Sequence, residues 1–81
     1  MRGTVKFFAS LREAMGRSEM DWELPDEATV DTLMTHLHQT LPGLSEWADR
    51  TWIAVNRRYA SLEVTLKDGD EVALFPPVSG G

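Results

Sequence analysis

Val30, Leu33, Met34, Leu37 and Leu41 recur at the spacing of one helical stripe, and this is the longest helical pattern in the chain. Thr29 is suited to cap its start, and Asp31 lies where the helix dipole favours an anion. Pro42-Gly43 stops it. A lone amphipathic helix cannot bury its stripe on itself, so the remaining segments must supply a sheet face to receive it. In 81 residues there is room for one such arrangement. A chain of this size buries only a little over roughly 60% of the surface it exposes when unfolded.

The strands are legible around that helix. Thr4-Val5-Lys6-Phe7-Phe8-Ala9 is rich in β-branched and aromatic residues and reads as a strand. Ser10-Leu11-Arg12-Glu13 has the form of a capping box and predicts a short helix that runs to Met15 and stops at Gly16. Leu11 and Met15 share one face of it. Met20, Trp22 and Leu24 then alternate with Glu19, Asp21 and Glu23, the period of a half-buried strand that Pro25 ends. After the long helix, Leu44 to Arg50 is read as one further helical turn and Trp52-Ile53-Ala54-Val55 as a strand. Asn56-Arg57-Arg58 is a turn, because Asn tolerates the left-handed region. Tyr59-Ala60 begins a short return strand, Lys67-Asp68-Gly69-Asp70 is a second turn, and Glu71 to Phe75 is the last strand. Segregated elements in this order predict an α+β domain with helices on one face of a mixed sheet. The other sheet face needs its own explanation, and exposed aromatics there would mark a partner surface.

Composition narrows the function. A domain this small makes a deep catalytic cleft hard to build and favours a carrier, module or subunit. There is no cysteine, which excludes disulfides, thiolate metal sites and any side-chain persulfide on this chain. The net charge of −5 argues against nucleic-acid binding, which needs clustered Lys and Arg. It is compatible equally with simple solubility and with docking on basic partner surfaces. No apolar run approaches a membrane span, and Met1-Arg2-Gly3-Thr4-Val5-Lys6 has no signal-peptide core, so no membrane association and a cytoplasmic location are expected.

Gly80 and Gly81 close the sequence, directly after a strand-like run that stops at Pro76 and Pro77. A single α+β domain over residues 1–76 with a flexible tail over 77–81 is therefore expected. Val5-Lys6-Phe7-Phe8-Ala9-Ser10-Leu11-Arg12-Glu13, Ala54-Val55-Asn56 and above all Asp68-Gly69-Asp70-Glu71-Val72-Ala73-Leu74-Phe75-Pro76-Pro77-Val78-Ser79-Gly80-Gly81 resemble the small subunit of molybdopterin synthase, the MoaD family of ubiquitin-like sulfur carriers. The likeness spans the chain, with no family signature between Leu41 and Trp52. It implies a β-grasp fold in which the first and last strands lie parallel at the centre of the sheet.

The same resemblance implies the chemistry. A carboxylate is a poor electrophile, so an E1-like activating enzyme uses ATP to adenylate the last glycine. A sulfurtransferase system then supplies persulfide sulfur, leaving a thiocarboxylate. Gly81 is thus the expected covalent sulfur carrier. The large synthase subunit holds the active site in which that sulfur is given to cyclic pyranopterin monophosphate. The chain itself is then a non-catalytic donor subunit that binds no cofactor and no metal. The family assembly is a heterotetramer.

A diglycine end lets the tip thread narrow sites where a Cβ would collide. Pro76 and Pro77 stiffen the base of an arm that spans about 20 Å when extended. Phe75 should share the Ala73 face, which is the open face if Leu74 points into the core. There it would anchor a hydrophobic heterodimer interface, joined by Phe8, or by Phe7 in the other register. Pro76, Pro77, Val78, Ser79 and Gly80 are the remaining expected partner contacts. Carriers for thiamine thiazole synthesis or tRNA thiolation are alternatives, as are a ubiquitin-like modifier that forms isopeptide bonds and a non-covalent β-grasp module. The Phe75-Pro76-Pro77-Val78-Ser79 stretch favours the pterin pathway.

Other features carry less. His36 and His38 do not face each other on a helix and are expected in solvent. Arg57-Arg58 reads as a charged turn with a possible contact to the activating enzyme, and Glu19, Asp21 and Glu23 as a solvated strand face. Asp68-Gly69-Asp70 lacks the further ligands of a calcium loop. Ser79 has no base to make it a nucleophile, and the four methionines are expected as core filler.

Overall fold

The computed structural model describes residues 1–76, without the side chains of Ala48 and Asp49. The expected tail from Pro77 to Gly81 lies outside the described residues. The elements are β1 (Arg2–Phe7), α1 (Ala9–Met15), β2 (Glu19–Glu23), α2 (Val30–Thr40), a 3₁₀ helix (Pro42–Arg50), β3 (Trp52–Val55), β4 (Arg58–Tyr59) and β5 (Glu71–Phe75). The five strands form one mixed sheet in the order β2-β1-β5-β3-β4. β1 and β5 run parallel at its centre, with Val5 opposite Val72 and Phe7 opposite Leu74. The other neighbours are antiparallel.

Register explains the core. Val5, Phe7, Trp22, Val72 and Leu74 point to the helical side and are buried. Val30, Leu33, Met34 and Leu37 of α2 cover them, with Leu11 from α1 and Leu44 from the 3₁₀ helix. The expected stripe is therefore the one that packs, with Leu41 at its margin. Three methionines, Met1, Met15 and Met20, pack partly buried against this core, and Met34 lies inside it.

The start of α2 is fully satisfied. Thr29 Oγ1 accepts from the Thr32 backbone and Thr32 Oγ1 accepts from the Thr29 backbone. The Val30 and Asp31 N–H groups donate to Val64 and Leu62 carbonyls on the loop before β5. Helix donors that would otherwise be orphaned thus tie that loop down.

The capping box expected at Ser10 does not form. α1 begins at Ala9, its N-cap is Phe8, and no side chain caps it. The β1–β5 ladder continues one step further, the Phe8 N–H donating to the Leu74 carbonyl. The chain must therefore turn from strand to helix within one residue, which places Ala9 at φ 51°. The Phe8 carbonyl then accepts from Leu11, which leaves Ser10 inside the helix rather than before it. Gly16 ends α1 in the left-handed conformation, as expected. The further turn after Pro42 is longer than expected, nine residues of 3₁₀ helix.

Asp68-Gly69-Asp70 is a structural clasp. Asp68 accepts from the Arg2 backbone N–H at 2.8 Å. The Asp70 carboxylate, in a residue that is 9% exposed, accepts from the Lys67 backbone and from Asn56 Nδ2, both at 2.8 Å. Asn56 in turn accepts from the Glu71 N–H. One carboxylate thus joins the β3–β4 turn to the start of β5. Asp70→Ala is expected to lower unfolding stability by about 2 kcal/mol, because two donors lose their acceptor. Urea denaturation measures this, and an unchanged midpoint would contradict it.

Candidate functional site

The sheet face turned away from the helices is divided. On β2 and β1 it is charged. Glu19, Asp21 and Glu23 are exposed, Arg2 pairs with Glu23 at 3.7 Å, and Lys6 pairs with Glu71 at 3.3 Å. Exposed pairs of this kind add little stability. On β5, β3 and β4 the face is aromatic. Phe75 opposes Trp52 across one ladder, and Ala54 opposes both Ala73 and Tyr59.

Four rings make a continuous band there. Phe8 meets Phe75 edge-on at 6.3 Å, Phe75 meets Tyr59 at 5.8 Å, and Tyr59 meets Trp52 at 5.3 Å. Phe8 and Trp52 are each 45% exposed and Tyr59 is 69% exposed. Ala54 and Ala73 floor a shallow depression of about 440 Å³ beneath Phe8, Tyr59 and Phe75, and Arg57 sits at its rim. A contiguous exposed aromatic surface of this kind marks an interaction site, since isolated exposed apolar residues need no explanation but a band of four does.

The expected site residues fall as follows. Phe75 is on the open face beside Ala73, because Leu74 is in the core. Phe8 joins it and Phe7 is buried. Phe8 reaches the band from the junction after β1 rather than from the strand itself. Pro76 is half-buried and directly follows Phe75, so the chain leaves the sheet at the margin of the aromatic band. Pro77, Val78, Ser79, Gly80 and Gly81 lie outside the described residues.

Trp52, Tyr59 and Arg57 were not singled out as part of this face by sequence reasoning. Period-two alternation does put Trp52 and Ala54 on one side of β3. Tyr59 needs the β3–β4 register, which a turn of two residues fixes and a turn of three would invert. His36 is exposed as expected, whereas His38 is half-buried and its Nδ1 is shielded with no hydrogen-bond partner among the described residues. His38 follows the buried Leu37 and lies one turn beyond Met34, so it falls on the edge of the α2 stripe, beside a cleft of about 580 Å³ shared with Thr51, Trp52 and Ile53. No group of three or more His, Asp or Glu side chains among the described residues is placed to hold a metal ion. Among the described residues no helix is long and apolar enough to cross a membrane.

The family follows from the chain as a whole. The ThiS family model matches residues 5–81. The chain belongs to the ThiS family. The molybdopterin synthase sulfur carrier subunit of Chlamydomonas reinhardtii is 37% identical to it over 83 residues, covering all of both chains. The small archaeal modifier protein SAMP1 of Haloferax volcanii has a crystal structure that superposes with a TM-score of 0.91 at 31% identity, again over all of both chains. The third relative is a chain in the complex of subunits 1 and 2 of molybdopterin-converting factor from Helicobacter pylori. It has a TM-score of 0.75 and 32% identity over the full length of each chain. The β-grasp fold implied by the resemblance to the MoaD family is the fold found, with its first and last strands parallel at the centre of the sheet.

Proposed function

We propose that this chain is the sulfur carrier subunit of a molybdopterin synthase. The observation that carries the reading is a fold of this family in which an exposed aromatic band borders the root of a segment ending in Gly80-Gly81. A relative at 32% identity is found in a complex between the two converting-factor subunits, which supports a large-subunit partner for this chain.

The chemistry runs in three transfers. A Gly81 carboxylate oxygen attacks the α-phosphorus of ATP on an E1-like enzyme, releasing pyrophosphate and leaving an acyl-adenylate. Persulfide sulfur from a sulfurtransferase displaces AMP, and reduction of the resulting acyl disulfide by a thiol frees the thiocarboxylate. In the active site of the large subunit, the thiocarboxylate sulfur attacks cyclic pyranopterin monophosphate, and hydrolysis of the acyl–sulfur bond returns the carboxylate. Two such donations make the dithiolene. ATP is a substrate of the activating enzyme, and no cofactor is held by this chain. The domain contributes no acid or base. It presents the carboxyl group and docks.

The docking half of the reading predicts a measurable difference. Phe75→Ala is expected to cost about 2 kcal/mol or more in binding the large subunit, since a central aromatic is removed. It should cost only about 1 kcal/mol in domain stability, because the ring is only partly buried and lies outside the core. Calorimetric titration and thermal unfolding compare the two. Unchanged affinity would remove the aromatic band from the interface.

Intact mass spectrometry of the chain isolated from cells tests the chemistry. A carrier shows a species in which one oxygen is replaced by sulfur at Gly81. Likeness to a small archaeal modifier protein favours one second reading, attachment to lysines through the same adenylate. That reading predicts larger isopeptide adducts in place of the sulfur-bearing species.

A further inference from the structure

Arg57 combines a backbone shape suited to glycine with a cation that has no carboxylate partner among the described residues. It is the second residue of the two-residue turn between β3 and β4, where Asn56 has φ 50° and Arg57 has φ 72°. Such turns favour Asn-Gly, because both central residues need positive φ. Asn56 obeys that preference and Arg57 does not. A side chain kept where its Cβ is disfavoured suggests that the side chain has a use.

Its position suggests the use. Arg57 stands at the rim of the depression floored by Ala54 and Ala73 and walled by Phe8, Tyr59 and Phe75. The floor exists because two alanines oppose each other across the β3–β5 ladder. A larger residue at either position would fill it. The walls are apolar, and the rim carries a guanidinium whose fork suits a carboxylate. The chain as a whole carries −5, so a partner drawn to it by net charge would be basic and would be repelled at Arg57. A cation with no carboxylate partner among the described residues, set beside an apolar hole on an acidic protein, therefore marks a specific anion.

We propose that this depression receives an apolar side chain of the large subunit, and that a carboxylate on the same partner segment pairs with Arg57. The inference rests on the docking reading above and names the partner chemistry that reading leaves open. It assigns Arg57 a role in selecting the partner and Ala54 and Ala73 the role of leaving space.

Binding of the large synthase subunit from the same organism to Arg57→Gly, Ala73→Leu and Phe75→Ala, by calorimetry at two salt concentrations, is the test. Thermal melts verify that each variant is folded. Arg57→Gly is expected to keep or raise the melting midpoint, because the turn is relieved, yet to bind about tenfold more weakly and with less salt dependence. Ala73→Leu is expected to bind at least about tenfold more weakly by filling the hole. Equal or tighter binding by Arg57→Gly, the result that steering by net charge alone requires, would overturn the proposal. So would unchanged binding by Ala73→Leu. If Phe75→Ala alone weakens binding, the aromatic face stands and the receptor does not. If no variant matters, or the unaltered chain does not bind the subunit, the docking reading itself is what fails.

Discussion

Deleting Gly80 and Gly81 is expected to bring sulfur loading and pterin dithiolene formation to background in a system reconstituted with the activating enzyme, a sulfur source and the large subunit. Gly81→Ala is expected to lower the rate about a hundredfold, the scale that follows when a reacting group is misplaced by about 1 Å. The core and the strand ladders are built wholly from residues before Pro76. Thermal melts should therefore coincide with the parent. The combination separates a donor from a folded scaffold: activity goes and stability stays. Wild-type turnover of either variant would end the carrier proposal, and equal loss of the melt would turn it into a folding defect.

The largest expected loss of stability comes from a single methyl group at Gly3. A Cβ there would lie 2.3 Å from the Asp70 carbonyl oxygen and 2.3 Å from the Trp22 ring. Neither neighbour can give way cheaply. The Asp70 carbonyl accepts from the Thr4 N–H at 3.1 Å and from Trp22 Nε1 at 3.3 Å. Trp22 itself is 2% exposed and packs in the core. Gly3→Ala must therefore shift an indole, a backbone carbonyl or both, at a cost of about 3 kcal/mol or more. For a domain this size that is a large part of the total. Chemical denaturation with a fluorescence readout measures it, and a loss below about 1 kcal/mol would show that Trp22 repacks freely.

Gly3 also shows where the sequence stops being readable. Period and punctuation revealed the stripe on α2, the alternation through Trp22, the left-handed stop at Gly16 and the placement of β5. These are local patterns in which one residue's role depends on its near neighbours. Gly3 is required because of Trp22 and Asp70, which are remote in sequence, and nothing around it signals that. The Ser10 capping box was a local pattern overruled by a distant one, the continued pairing of Phe8 with Leu74. Phe75 on the open face was legible from alternation once Leu74 was placed inside. Trp52, Tyr59 and Arg57 were not, because their shared face depends on the register of a two-residue turn and on which strand lies next to which. The Asn56–Asp70 link was hidden for the same reason, although both residues read correctly as turn formers.

The order of the sheet bears on how the molecule comes into being. β5 occupies the middle position between β1 and β3, yet it is translated after every other described strand. Until it emerges from the ribosome, β1 and β3 have no common neighbour and the stripe on α2 has only part of a floor. Nascent chains broken off before Glu71 are therefore expected to be proteolysed rather than to persist as half-built decoys that compete for the activating enzyme. The strand that completes the domain also leads directly into Pro76, so under the proposed carrier function only a folded chain is expected to be loaded.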